Sequence, residues 1–341
     1  MVGKRILLSG YFGFGNCGDE IILQVETEKF QDFGFNVQFI SAKSKEKNSV
    51  SRNLLKTIKA IIQSDIVVSG GGGLIQDKTS LKSIFYYLFI LYIGHIFKKK
   101  TVCFAQGIGP IKTRIGKFLT RKVISRVDLV TVRDNYSKNV LKECGVKKEI
   151  NVCSDVAFLF NKKTELKIPY EKFIIFSPGY SKKMPKMKTI IEIAKAIKEK
   201  SNLPVVIMPL YPDRDGKVAK EVSQKTGYPY ILFKNIGQCL FAFEKSEFIV
   251  GMRYHSVVLS VLAHKSFVSM AYDPKVSAIS KEFQMKYIEN YEKITKNEFL
   301  KIFSFNFNNR KQIEKNISLK LLEMKNLAKK NFELFKEKFI Y

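Results

Sequence analysis

Three times in its first third, this chain runs through a short β-branched stretch and stops at glycine: "RILLSGYFGFG" (5–15), "DIVVSGGGG" (65–73) and "TVCFAQGIG" (101–109). Such a run reads as a buried strand that delivers the backbone to a loop, where it must turn sharply or approach something closely. "VQFISA" (37–42) and "LVTVRD" (129–134) add two further strand patterns, and helix-length segments separate all five. That alternation predicts a parallel sheet with helices on both faces. Past the polar, lysine-rich "NKKTELKIPYEK" (161–172) a second series begins with "FIIFSPG" (173–179) and "LPVVIMP" (203–209). It continues with "YPYILF" (228–233), "EFIVGM" (247–252) and "SFVSMAY" (266–272). The expected class is therefore α/β, with two doubly wound, Rossmann-like domains over 1–164 and 165–295. Domains of this kind are expected to face a central cleft, because ligands gather at the carboxyl ends of such strands. Residues 296–341 form the remainder, a helical tail with Ile313, Ile317, Leu321, Met324, Ala328, Phe332 and Phe335 at three- and four-residue spacing.

Gly13, Gly15 and Gly18 have the G-x-G-x-x-G spacing of a dinucleotide-binding turn. Two features oppose that reading. Asp19 and Glu20 fall in the first turn of the following helix, where they repel a pyrophosphate, and the next strand ends in Ser41, Ala42 and Lys43 with no carboxylate for a ribose. A nicotinamide or flavin site is thus disfavoured. What remains is a loop in which Gly13 and Gly15 permit close backbone approach, with Asn16 and Asp19 as polar groups at a helix start. The run Gly70 to Gly73 has no Walker lysine behind it; Gly71, Gly72 and Gly73 suggest close approach of a ligand or of opposing backbone. Gln76 and Asp77 then either hold a polyol or cap a helix, and Gln106 sits at the edge of the third glycine stretch.

The second half supplies cations. "GMRYHS" (251–256) follows a strand directly and sets Arg253 and His255 two residues apart at a helix start, and "AYDPKVS" (271–277) adds Lys275. A guanidinium, an imidazole and an ammonium group at strand ends suit an anionic ligand. His95 lies in an apolar helix and His264 in a polar turn, so neither is a candidate. Three isolated histidines and dispersed cysteines have no metal-ligand spacing. No metal and no cofactor is expected.

The formal net charge of +28 attracts anions in general, but no RNP-type or zinc-finger pattern accompanies it, and nucleic acid is not an expected partner. Five dispersed cysteines without a C-x-x-C pair, and an amino-terminal apolar run too short for a signal peptide, point to the cytoplasm. The most apolar stretch, "IFYYLFILYIGHIF" (84–97), is shorter than the roughly 20 residues of a spanning helix. It reads as a buried core helix ending in Lys98, Lys99 and Lys100, with docking on an anionic membrane face as the other reading.

Taken together, "SGYFGFGNCGDE" (9–20), "SGGGGLIQDKTS" (69–80), "AQGIGP" (105–110), "TVRDNYS" (131–137), "GMRYH" (251–255) and "YDPKV" (272–276) resemble the polysaccharide pyruvyl transferase family. The likeness is to its CsaB-type enzymes in particular, which pyruvylate cell-wall glycans. It implies phosphoenolpyruvate as donor and a cyclic ketal on a sugar as product, the acceptor being N-acetylmannosamine of a lipid-linked glycan precursor. In such a reaction a general acid protonates the enol methylene carbon, and His255 suits that part because an unperturbed imidazole titrates near neutral pH. Arg253 and Lys275, with Arg133 from the first half, would hold the donor's phosphate and carboxylate. Asp19 or Asp77 would take a proton from an acceptor hydroxyl. A lipid-linked acceptor would place the protein peripherally at the inner membrane face. The architecture is GT-B-like, so a nucleotide-sugar glycosyltransferase of that type is the alternative reading.

Overall fold

The computed structural model describes residues 3–43, 48–77, 81–182 and 184–341. They divide into two compact units, one of residues up to Phe160 together with Met324–Tyr341, the other Asn161–Glu323. The motif residues Lys78, Thr79 and Ser80 lie outside the described residues.

In the first unit β1 (Arg5–Phe12), α1 (Cys17–Asp32), β2 (Asn36–Ser41), β3 (Ser49–Ser51) and α2 (Leu54–Gln63) come first. Then follow β4 (Ile66–Ser69), α3 (Leu81–Ile96), β5 (Lys100–Gln106), α4 (Arg114–Ile124), β6 (Leu129–Val132), α5 (Asn135–Glu143) and β7 (Asn151–Val152). The sheet is parallel throughout, in the order β3-β2-β1-β4-β5-β6-β7. It is wound outward in both directions from the β1/β4 pair, so the loops after β1 and β4 flank a topological switch point. β4 is buried throughout and β1 from Ile6 to Gly10, as central strands covered on both faces require. The short edge strands β3 and β7 lack an apolar run of their own and were not expected from the sequence.

Side-chain caps start α2, α4 and α5. Asn53 accepts hydrogen bonds from the amides of Leu55 and Lys56 (3.0 and 3.3 Å), Thr113 from Gly116 (3.1 Å) and Asp134 from Ser137 (2.7 Å). Each satisfies amide groups that have no partner within the helix. The apolar helix α3 buries Ile84, Tyr87, Leu88, Ile90, Leu91 and Gly94. It is not the fully buried helix that the sequence suggested. One side meets the sheet, and the other leaves Phe85 and Ile96 44% and 51% exposed.

The second unit contains β8 (Ile174–Ser177), α6 (Met187–Ser201), β9 (Val205–Ile207), α7 (Pro212–Thr226), α8 (Ile236–Lys245) and β10 (Phe248–Gly251). It continues through α9 (Tyr254–Leu262), β11 (Phe267–Ser269), α10 (Pro274–Glu282) and α11 (Lys296–Asn308). Its parallel sheet runs β11-β10-β8-β9, with the switch point between β8 and β10. The expected strand "YPYILF" forms only a single bridge, Tyr230 to Ile207. Pro229 brings no amide to a ladder, and Leu232 turns outward at 46% exposure.

The last helix, α12 (Arg310–Phe339), follows. All of its predicted apolar stripe from Ile317 to Phe335 is buried, and Ile313 is half-buried. The helical tail is not a body of its own: its residues up to Glu323 belong to the second unit and those from Met324 to the first. In the first unit Phe332 and Phe335 pack on Phe30 and Phe104, with ring centroids 4.7–6.2 Å apart, and Asn331 donates to the Ser154 carbonyl at 3.0 Å.

Candidate active site

The glycines of the first unit are explained largely by what packs beneath them. A Cβ at Gly70 would lie 2.2 Å from Glu26 Oε2, one at Gly71 3.1 Å from Ile22, and one at Gly72 2.7 Å from Asp19 Oδ1. The loop after β4 therefore rests directly on α1. Gly71 N–H donates to Glu26 Oε1 at 2.8 Å, and Gly72, with φ +91°, is in the left-handed region that a side chain resists. Gly13, also left-handed at φ +77°, donates its amide to Glu20 Oε1 at 2.8 Å. Gly15 has a positive φ of 73° as well. Asp19 is 6% exposed and accepts a hydrogen bond from the Asn16 side chain. Carboxylates, rather than free amides, thus dominate the β1/β4 switch point. That chemistry repels phosphate and matches sugar hydroxyls, which donate.

Several residues expected to touch a ligand have structural work instead. Asp77 accepts from the amides of Lys112 and Thr113 and from the Thr113 hydroxyl at 2.6–3.0 Å, so it caps the entry to α4. Burial alone would raise its carboxyl, but these hydrogen bonds outweigh it and hold the pKa below the usual value. Gln106 is wholly buried and donates to Ser69 Oγ at 3.0 Å and to the Gly70 carbonyl, tying β5 to the glycine run. Arg133 has a side chain only 3% exposed; it is paired with Asp155 at 3.1 Å and with Asp134 at 3.3 Å. Its guanidinium lies so close to Gly107 that a Cβ there would be 2.6 Å from it. Enclosed in this way, Arg133 braces its own unit. Gly73 and Gln76 remain half-buried at the end of the loop.

Two groups at this edge carried no sequence signal. Glu26 lies in mid-helix, where glutamate ordinarily reads as a solvated residue, yet it is completely buried. Burial pushes its carboxyl up to about 8, and the charge of Asp155 adds to that against the Gly71 hydrogen bond. The folded chain therefore keeps the Glu26 proton over a pH range in which the unfolded chain, with the ordinary value of 4.5, has lost it. A raised carboxyl pKa means that stability falls as pH climbs from about 4.5 to about 8 and stays reduced above that. Glu26→Gln should show no such fall, and in urea unfolding it should exceed the parent at about pH 8.5 by a few kcal/mol while matching it near pH 5. Parallel pH profiles for the two proteins would show that Glu26 is not protonated in the fold. The second group is aromatic. Tyr11 and Phe14 stack at 4.1 Å and 10°, and the Arg52 guanidinium lies 5.1 Å from the Phe14 ring and 4.3 Å from that of Tyr86.

In the second unit the cations collect at the β8/β10 switch point. Arg253 is the residue that precedes α9, and its Nη2 donates to the Tyr180 carbonyl at 3.1 Å, so it joins the loops after β8 and β10. The Nε and Nη2 atoms of its guanidinium both donate to Asp215, whose carboxylate is fully buried in the first turn of α7. The expected two-pronged grip on substrate is therefore taken by a protein carboxylate. Nη1 donates to the Tyr272 hydroxyl at 3.4 Å. Burial would raise the Tyr272 phenol, but the charges of Lys275 and Arg253 outweigh it and bring it below its ordinary value. Lys275 and Arg253 thus act on one phenol from two adjacent βα units. Lys275 is half-buried in the first turn of α10, behind Pro274 and the capping residue Asp273, and forms no ion pair with a described carboxylate. His255, 8% exposed, occupies the first turn of α9 with the Tyr254 ring edge-on at 5.1 Å. Two helix amino-termini, a lysine and a histidine at one sheet edge form a setting for an anion. Asp215 and Tyr272 were missed in the sequence, since neither stands in a glycine or histidine motif.

Solved structures of low sequence identity share the fold. A glycosyltransferase from Rickettsia africae superposes with a TM-score of 0.63 at 14% identity, covering 98% of each chain. The Anabaena protein HepE in complex with UDP gives 0.62 at 12% identity over 98% of this chain and 99% of that one. A UDP-GlcNAc 2-epimerase from Methanocaldococcus jannaschii gives 0.60 at 12% identity over 90% and 93%. At such identities the likeness concerns the fold alone, two α/β units with parallel sheets as in GT-B glycosyltransferases. No curated protein matches the chain in sequence. The family model for polysaccharide pyruvyl transferase does match, over residues 16–274, from the residue before α1 through the histidine motif to the start of α10. That span exceeds half of the chain and contains the β8/β10 switch point, and on it the protein belongs to the polysaccharide pyruvyl transferase family.

Proposed function

We propose that the protein transfers the three-carbon unit of phosphoenolpyruvate to two hydroxyls of one sugar as a cyclic ketal, in the manner of CsaB-type enzymes. N-acetylmannosamine of a lipid-linked cell-wall precursor is the acceptor in this reading. The observation that carries it is the cationic edge of the second unit, where Lys275, Arg253 Nη1 and the amino-termini of α9 and α10 accompany His255. Phosphoenolpyruvate carries a phosphate and a carboxylate and needs cations in fixed directions.

The chemistry assigns the parts. His255 gives a proton to the methylene carbon, and C2 becomes electron-poor. The oxygen of one acceptor hydroxyl forms a bond to C2 and releases its proton. The C2–O bond to phosphate then breaks, the phosphate leaving with that bond's electron pair. The second hydroxyl closes the ring on C2 and gives up its proton, so two hydroxyl protons are released. One restores His255 and the other accompanies the phosphate. Asp19, held by Asn16, is the base for a hydroxyl. Gly13, Gly15, Gly73 and Gln76 border the same loops, and the Tyr11–Phe14 stack offers the apolar face on which a pyranose ring packs.

The test is incubation with phosphoenolpyruvate and a panel of N-acetylmannosamine glycosides. Phosphate release matched by an acceptor mass gain of pyruvate less water is the expected result. Turnover of a sugar nucleotide in place of phosphoenolpyruvate would establish the glycosyltransferase reading instead.

A further inference from the structure

On one side of the first unit's sheet, α2, α3 and α4 lie next to each other, α3 touching both neighbours. Their outward surface is unusual in two independent respects. It is apolar where solvent reaches it: Leu55 is 77% exposed on α2, Phe85 and Ile96 44% and 51% on α3, and Ile115 and Phe118 57% and 52% on α4. On α3 the exposed and half-buried positions Leu81, Phe85, Phe89, Tyr92 and Ile96 follow each other at three- or four-residue steps, an apolar stripe opposite the one that meets the sheet. The layer is also free of negative charge. No aspartate or glutamate occurs within 54–63, 81–96 or 114–124, whereas Lys56, Lys59, Arg114, Lys117 and Lys122 do. The helix α1, by contrast, carries Asp19, Glu20, Glu26, Glu28 and Asp32.

We propose that the outer face of the α2–α3–α4 layer is a docking surface for an anionic lipid bilayer. Exposed leucine, isoleucine and phenylalanine enter the acyl boundary while lysine and arginine remain at headgroup depth, the arrangement by which peripheral proteins bind membranes without spanning them. Among the described residues no helix is long and apolar enough to cross a membrane. A second copy of this chain is disfavoured as occupant, because two such faces would oppose like charges. Nucleic acid is disfavoured because its phosphates offer nothing to aliphatic side chains. The inference stands apart from the reaction assigned above and would survive its failure.

The full chain is sedimented with vesicles of phosphatidylcholine alone and with about 30% phosphatidylglycerol, on which several basic residues together raise binding well above tenfold. Binding to the anionic vesicles only is expected. Phe85→Glu/Phe118→Glu should lower it by about tenfold or more, while Leu319→Glu/Leu322→Glu, an equal change of charge at exposed positions of α12 in the second unit, should leave it within about twofold. Equal thermal midpoints for the three proteins confirm that folding is intact. The proposal is overturned if the parent ignores anionic vesicles, if both pairs of substitutions act alike, or if the parent runs as a dimer that Phe85→Glu/Phe118→Glu converts to monomer.

Discussion

His255→Gln should lower the rate of ketal formation from phosphoenolpyruvate by about 10²- to 10⁴-fold, the usual contribution of a positioned general acid, with donor affinity changed by less than about threefold. Glutamine fills a similar volume in the first turn of α9 and can satisfy a polar neighbour, but it has no proton to give to carbon. Lys275 and Arg253, the cations proposed for the donor, remain in place. The effect must therefore fall on kcat and not on KM. Enol protonation can also be followed directly, since in deuterium oxide the methyl group of the product takes up one deuteron from solvent. Undiminished turnover in the variant would remove His255 from the chemistry, and a loss confined to KM would make it a binding group.

The second large effect concerns Asp215. Its carboxylate is fully buried and accepts from Arg253 Nε at 2.9 Å, from Arg253 Nη2 and from the Tyr180 amide at 2.9 Å. Asp215→Ala leaves a guanidinium with an 11% exposed side chain unpaired, and frees the loop after β8 that Tyr180 begins. Breaking a buried pair from one side typically costs about 3–5 kcal/mol, so the midpoint of urea unfolding should fall sharply. Replacing both partners removes the stranded charge, and Asp215→Ala/Arg253→Ala should accordingly be more stable than Asp215→Ala alone. The double variant should still lose donor affinity, because Arg253 is gone. If Asp215→Ala unfolded like the parent, the pair would be a surface-like contact with no part in shaping the donor edge.

Much of the fold was legible because strand-then-glycine punctuation is a local signal. It located β1, β4, β5 and the central strands of the second unit, apolar runs alone located β2 and β6, and the apolar spacing located α12. What escaped were elements decided by their neighbours. β3 and β7 are strands only because β2 and β6 offer them an edge, and "YPYILF" is not one because Pro229 stands at the point of pairing. The site divided along the same line. A histidine and an arginine after a strand could be read as an anion-binding edge, but that Asp215 takes two donors of Arg253 depends on α7, 38 residues away in sequence. For Asp77 the sequence left a ligand and a helix cap as alternatives, and for Arg133 it suggested a ligand; their partners, the amides before α4 and the buried Asp155, are visible only in three dimensions.

Under the proposed reaction, the bedding of the glycine run on α1 also bears on how the choice of acceptor can change. Side chains at 70 and 72 would strike carboxylate oxygens at 2.2 and 2.7 Å, so those two positions have almost no freedom to drift. On that reading, new preferences at this rim would have to be written in the rings around Arg52, those of Tyr11, Phe14 and Tyr86.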